Sequence, residues 1–129
     1  MSTNEPLRPQ LFFDASALFA GVISAVGAAR ALLLLSEAGT LAITVSKQVI
    51  VESERTLARK APTAIPFYRE TLRASRIRIV KDPSAAEVAA ARNMIAHEPD
   101  VPILVAAIRI QTGYLVTLNR HHFIENPYF

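Results

Sequence analysis

The chain has 129 residues, of which 51% are hydrophobic and 19% are charged, and its formal net charge is +3. This length fits one domain, and the composition is that of a well-packed globular protein. The absence of cysteine excludes disulfides, zinc fingers and thiol catalysis. The longest uncharged apolar stretch, residues 15–29, is shorter than the roughly 20 residues that a membrane-spanning helix needs. We therefore expect a cytoplasmic protein that does not span a membrane.

Strand and helix signals alternate along the chain. After an N-terminal arm at 1–9, the predicted elements are a strand at 10–13, a helical region at 16–37, a strand at 41–45, helices at 47–61 and 64–74, a strand at 77–80, helices at 84–97 and 100–111, and a strand at 114–117. Such alternation implies right-handed parallel crossovers. We predict a single domain at 10–129 with an α/β fold, a three-layer α/β/α sandwich around a central parallel sheet.

Local residue types predict how several of these elements begin and end. The long helical region is expected to break near Gly21 or Gly27 and to end at Gly39. Ser46 is the expected N-cap of the helix that follows the second strand. Pro62 is expected to end that helix.

Isolated acids and one amide stand where apolar runs begin or end. These residues are Asp14 after 11–13, Glu52 after 49–51, Asp100 before 103–108, and Asn119 after the run that starts at 115. Side chains at strand ends and at the starts of adjacent helices converge at one edge of a parallel sheet, where ligands bind. Oxygen ligands select Mg²⁺ or Mn²⁺ over zinc or copper. The pattern predicts one metal site assembled from distant segments.

Helix capping is the competing interpretation for two of these acids. An Asp between a strand and a helix is often an N-cap, and Asp14 fits that role too. If Ser16 caps the helix or braces the carboxylate, Asp14 is left to face the sheet edge. Taken alone, Asp100 is better explained as a cap, because Pro102 lies just inside its helix.

Glu52 is a different case because it lies within a helix, where no backbone donor needs a cap. Glu54, two positions further on, points to another face. Leu57 lies on an azimuth that neighbours that of Glu52. We therefore expect Glu52 to turn toward the sheet edge and prefer it to Glu54.

The middle of the chain is strongly basic. One acid, Glu70, accompanies eight basic residues, namely Arg55, Arg59, Lys60, Arg69, Arg73, Arg76, Arg78 and Lys81. Such a stretch is suited to a polyanion, and a solvated helical face explains it equally well. Other chemistries have less support, since the chain has neither a glycine-rich phosphate loop nor a GxSxG nucleophile motif.

Four segments resemble the successive motifs of the PIN domain. In chain order they are LFFDASALFAG, VIVESERTL, EPDVPILVAAI and YLVTLNRHHF, and they extend over nearly the whole chain from 11 to 123. The last two are the most specific, since the family pattern is an Asp, two residues and an Ile-Leu-x-Ala-Ala core, followed by a strand with Thr-x-Asp or Thr-x-Asn. Within that family, the motifs resemble those of VapC-like toxins and allied small PIN proteins.

The resemblance implies a metal-dependent endoribonuclease, the toxin of a toxin-antitoxin pair. Asp14, Glu52 and Asp100 match the three family acids that hold Mg²⁺ or Mn²⁺. Asn119 stands where many members have a fourth acid and others have Asn. Thr117 matches a family hydroxyl beside the site.

The resemblance also implies partners. These are an RNA substrate guided by basic residues such as Arg55, Arg59 and Lys60, a small antitoxin, and a second copy in a homodimer. Only six residues follow Phe123, where relatives continue into a final helix and edge strand, so the expected sheet has four to five strands. This short end and Asn119 favour an alternative, a catalytically weakened PIN-like module that binds RNA or protein.

Overall fold

The computed structural model of the chain describes residues 8–91, 101–109 and 113–118. In chain order its elements are β1 (Gln10–Phe13), α1 (Ala15–Ile23), α2 (Ala28–Glu37), β2 (Ala42–Ser46), α3 (Lys47–Lys60), a 3₁₀ turn (Pro62–Ala64), α4 (Ile65–Ala74), β3 (Arg78–Val80), α5 (Ala85–Ala91), α6 (Val101–Arg109) and β4 (Tyr114–Val116). The predicted strands and helices are confirmed where they fall on these residues. Most of the predicted N-terminal arm and the predicted helix end at 92–97 lie outside them.

The four described strands form one all-parallel sheet in the order β3-β2-β1-β4. The chain moves in one direction from β1 to β2 and β3, and then returns across the sheet to place β4 on the other side of β1. The strand order therefore reverses between β1 and β4. In open α/β sheets, ligands bind beside the carboxyl ends of strands at such a switch point.

Both faces of β1 are covered. Phe12 and Phe13 are each 0% exposed, and successive strand residues point to opposite faces of a sheet. Apolar side chains of α1, α2, α3 and α6, among them Leu18, Leu33 and Ile103, complete the core. The arrangement is compatible with the predicted three-layer sandwich. The prediction is four to five strands, and the described residues contain four.

The first helical region breaks at Gly27 and not at Gly21. Gly27 caps α2 with a φ of +116°, a conformation that residues with a side chain rarely adopt. Gly21 stays inside α1, where an added Cβ would lie 2.5 Å from the Leu33 side chain, so this glycine allows α1 and α2 to pack closely. Gly39, with a φ of +84°, follows the end of α2 as predicted.

In the part of the chain that the structure describes, no single helix has the length and apolar character needed to cross a bilayer. The successive apolar helices α1 and α2 are bent by 87° at the break between them.

Candidate functional site

Asp14 lies at the switch point, directly after β1, and is only 1% exposed. Its Oδ1 accepts hydrogen bonds from the Ala17 backbone N–H at 2.9 Å and from the Ser16 hydroxyl at 2.7 Å. Its Oδ2 accepts one from the Thr117 hydroxyl. The Asp14 backbone N–H donates to the Val116 carbonyl at 3.1 Å. Both the backbone and the carboxylate of Asp14 are therefore fixed to the end of β4.

The two interpretations of Asp14 are not exclusive. Through Oδ1 it is the N-cap of α1, and through Oδ2 it faces the end of β4. Ser16 does not cap the helix. It braces the Asp14 carboxylate and accepts a hydrogen bond at 2.9 Å from the Leu118 backbone N–H. Ser16 thus ties the start of α1 to the segment after β4.

A cleft of about 580 Å³ opens beside Asp14, between α1 and α3. From α1 its lining residues are Ala15, Ser16, Phe19, Ala20 and Ile23, with Ser24 directly after the helix. From α3 they are Glu52, Arg55, Thr56, Arg59 and Lys60, and Leu118 also lines the cleft. Within each helix they recur at spacings that place them on one face. The α1 wall is mostly apolar, whereas the α3 wall carries one acid and three bases.

Glu52 is the glutamate that lines this cleft, and it is partly buried. Its Oε1 accepts a hydrogen bond at 2.9 Å from the Gln48 side-chain amide. Glu54 acts on Tyr68 instead: burial raises the pKa of the Tyr68 phenol far above its usual range, and the charge of Glu54 raises it further. Glu52 lines the cleft and Glu54 does not, and the choice of Glu52 as a metal ligand stays a prediction.

A chain of contacts joins β3 to Glu52. Asp82, just after β3, accepts a hydrogen bond at 2.8 Å from the Gln48 backbone N–H, and Gln48 in turn bonds Glu52. Ser46 caps the same helix by accepting from the Val49 backbone N–H at 3.4 Å. Gln48 and Asp82 were not predicted from the sequence to contact the site. The spacing of four between Gln48 and Glu52 was the available signal, whereas the Asp82 contact depends on the pairing of β2 with β3.

Two predicted ligands, Asp100 and Asn119, lie outside the described residues. The residue after Asp100, Val101, is fully buried and begins α6. Residues 8–91, 101–109 and 113–118 contain no cluster of three or more His, Cys, Asp or Glu residues suited to a metal ion. The described donors Asp14, Glu52, Ser16 and Thr117 offer oxygen atoms alone. Their chemistry fits Mg²⁺ or Mn²⁺ and does not fit a softer metal.

Four residues of the basic stretch lie on two different surfaces. Arg55, Arg59 and Lys60 line the cleft. Arg73, on α4, forms an exposed ion pair with Glu70, and the hydrogen bond from Arg73 lowers the pKa of the Glu70 carboxyl. The structure therefore separates the three basic residues singled out for RNA from a solvated helical face.

No protein-family model matches the chain, and no curated protein matches it either. The similarity to the PIN domain therefore rests on the four sequence motifs. The described residues form an α/β fold with an all-parallel four-stranded sheet, and the PIN resemblance stays a prediction.

Proposed function

We propose that this protein is a metal-dependent endoribonuclease with a PIN-like three-layer α/β/α sandwich fold, and that it hydrolyses RNA phosphodiester bonds in the cleft between α1 and α3. The observation that carries the proposal is the buried Asp14 carboxylate, held by Ser16 and Thr117 at the switch point of a parallel sheet. A wall of three basic side chains lies in the cleft beside it, as a polyanionic substrate requires.

The proposed metal ligands are Asp14, Glu52 and Asp100. Asp100 directly precedes α6, which leads into β4. A crossover helix runs opposite to the strands of a parallel sheet, so its amino end returns to the carboxyl edge, where Asp14 lies. Asn119, two residues after Thr117, is proposed for the margin of the site.

The chain's own residues hold the site in shape. Mg²⁺ or Mn²⁺ bound there would supply a water activated near neutral pH and would neutralise charge on the phosphate. Ser16 and Thr117 fix the two oxygens of Asp14, while Gln48 fixes Glu52. The cationic side chain of Arg59, with its neighbours on α3, attracts the RNA backbone.

The biological role proposed with this activity is that of a toxin acting on cytoplasmic RNA and neutralised by a small antitoxin protein. A homodimer is proposed as its assembly. These parts of the proposal are supported by the motif resemblance, and the RNA substrate is supported independently by the charge of the cleft.

RNA cleavage by the purified 129-residue chain tests the proposal. We expect a labelled single-stranded RNA to be cut in Mn²⁺ or Mg²⁺ and to remain intact in EDTA. Asp14→Asn and Asp100→Asn should each abolish cleavage, because the amide removes the charge that holds the metal. Glu54→Gln is the matched control and should cleave like the wild type, since Glu54 does not line the cleft. Cleavage by Asp14→Asn at the wild-type rate would contradict the proposal.

A second candidate function is a catalytically weakened module that binds RNA or a protein. Asn119, in place of an acid, favours it. The basic wall accounts for RNA binding in this case too. Metal-independent RNA binding by a protein that cleaves no RNA in Mn²⁺ would support this candidate.

A further inference from the structure

The α1 wall of the cleft has a feature that phosphate binding does not explain. Phe19 lines the cleft, where it is partly buried and packs against the hydrophobic core. Ile23 and Leu118 also line the cleft and are 43% and 62% exposed. A partly exposed aromatic ring with apolar neighbours therefore lines one wall of a cleft whose opposite wall is mainly basic.

The opposite wall limits what can occupy this space. Arg55 and Arg59 lie one helical turn apart, about 6 Å along α3, and Lys60 follows. The acid on that wall, Glu52, lies one turn before Arg55. A ligand that satisfies both walls must carry negative charge along one side and a flat apolar surface along the other.

We propose that Phe19 is a stacking platform for one unpaired RNA base, while Arg55 and Arg59 bind the adjoining phosphates. Single-stranded nucleic acids are bound in this way, by basic grooves that carry aromatic platforms. Phe19 is then a specificity-determining residue of the cleft, because a base inside a duplex has no free face to offer. The inference rests on the proposed function for its substrate.

Phe19 is also close to the proposed chemistry. Ser16, one turn earlier on α1, lines the same cleft and bonds the Asp14 carboxylate at 2.7 Å. A base held by Phe19 therefore fixes which nucleotide lies next to the acids. An acidic peptide would satisfy the basic wall equally well, but it has no need of an aromatic platform.

Equilibrium binding in EDTA tests the inference without any cleavage. A short fluorescein-labelled single-stranded RNA is the probe. Phe19→Leu should weaken its binding by roughly 5- to 150-fold, because stacking of one base on an aromatic side chain contributes about 1–3 kcal/mol. Phe19→Tyr, which keeps the ring, should bind like the wild type. Phe67→Leu is the matched control, since Phe67 is 46% exposed but lies outside the cleft.

Binding measurements with a set of RNAs, each lacking the base at one position, identify the nucleotide whose base stacks on Phe19. The wild-type protein should bind one of these RNAs more weakly than the intact RNA. Phe19→Leu should bind that RNA and the intact RNA with equal affinity. A wild-type protein that tolerates every abasic RNA equally would overturn the inference, even if Phe19→Leu does not fold.

Two further outcomes would overturn it. One is an equal loss of affinity for duplex RNA in Phe19→Leu. The other is that Phe19→Leu binds an Asp- and Glu-rich peptide more weakly than the wild type while its RNA binding is unchanged. That result would make the cleft a protein-docking surface. Failure of the proposed function can be told apart from failure of this inference. A protein that stacks a base on Phe19 but cleaves no RNA in Mn²⁺ is a binding module. If the protein cleaves RNA but Phe19→Leu leaves RNA binding unchanged, only the stacking role of Phe19 is refuted.

Discussion

The Thr117 hydroxyl donates a hydrogen bond to Oδ2 of Asp14, and so joins two residues that lie 103 positions apart in the chain. The strand register makes this bond possible. Phe13 of β1 pairs with Val116 of β4, so the next residue of each strand leaves the sheet at the same point. The carboxylate is thereby oriented by a second strand as well as by the helix that it caps.

Replacing Thr117 with Val should weaken the site while the sheet remains. The valine keeps the shape of the side chain but removes the donor to a buried carboxylate oxygen. We expect cleavage or Mn²⁺ affinity to fall by roughly 10- to 100-fold, the usual effect of losing a hydrogen bond to a ligand. Thr117→Ser keeps the hydroxyl and should stay within a few-fold of the wild type. Equal activity of the Val and Ser variants would show that the bond has no functional part.

Gln48 should matter through Glu52. Gln48→Met removes the amide that fixes the Glu52 carboxylate and keeps a side chain of similar length. We expect Mn²⁺ affinity, measured by thermal-shift titration, to fall by about tenfold with little change in the metal-free melting temperature. Lys47→Met, on the same helical turn, is the control. An unchanged Mn²⁺ midpoint in Gln48→Met would remove Gln48 from the site.

Arg59 should contribute to RNA affinity by charge. Arg59→Gln should weaken binding of single-stranded RNA similarly for every sequence, and it should lower the slope of log affinity against log salt by about 0.7. Arg73→Gln is the control, because Arg73 is paired with Glu70 outside the cleft. An equal change of slope in the two variants would mean that RNA is attracted by the overall charge of the protein.

Tyr68 should limit stability in alkali. Its hydroxyl is buried and has no hydrogen-bond partner among the described residues, and burial raises its pKa above the ordinary value of 10.0. The unfolded chain releases the proton first, so the stability present below pH 10 is lost as the pH rises through the folded-state pKa.

Tyr68→Phe therefore has two expected effects. Near neutral pH it should raise the free energy of unfolding by about 1 kcal/mol, because it removes a buried hydroxyl that has no partner among the described residues. Above pH 10 the free energy of unfolding of the wild type should fall by about 1.4 kcal/mol per pH unit because of Tyr68, and in the Phe variant this fall should be absent. Urea unfolding at several pH values measures both. A less stable Phe variant at neutral pH would show that the hydroxyl is bonded in the folded protein.

Local signals predict much of this fold. Ser84 and Glu87, at the spacing of a capping box, form both of its bonds, the Glu87 backbone N–H to the serine hydroxyl at 3.2 Å and the Ser84 backbone N–H to the carboxylate at 3.0 Å. Gly39 and Ser46 end and begin helices as their residue types indicate. The break in the first helical region needed tertiary information, because Gly21 is retained for close packing against Leu33.

The site is less accessible to sequence reasoning than the fold. The position of Asp14 after an apolar strand indicates a sheet edge, but its bond to Thr117 depends on β4 pairing with β1. The contact of Asp82 with Gln48 depends in the same way on β3 lying beside β2. The apolar wall around Phe19 appears only when α1 and α3 are brought together. Strand pairing and helix packing are non-local, so no single segment encodes them.

Thermal unfolding of the 129-residue chain during a Mn²⁺ titration tests the central claim most directly. A metal held by the acids binds only the folded state, so the wild type should be stabilised as the Mn²⁺ concentration passes the dissociation constant. Asp14→Asn should fold, because Asn also caps a helix, and should lose the response. Glu54→Gln should keep it. A wild-type protein that does not respond to Mn²⁺, or a response that survives in Asp14→Asn, would contradict a metal site at Asp14.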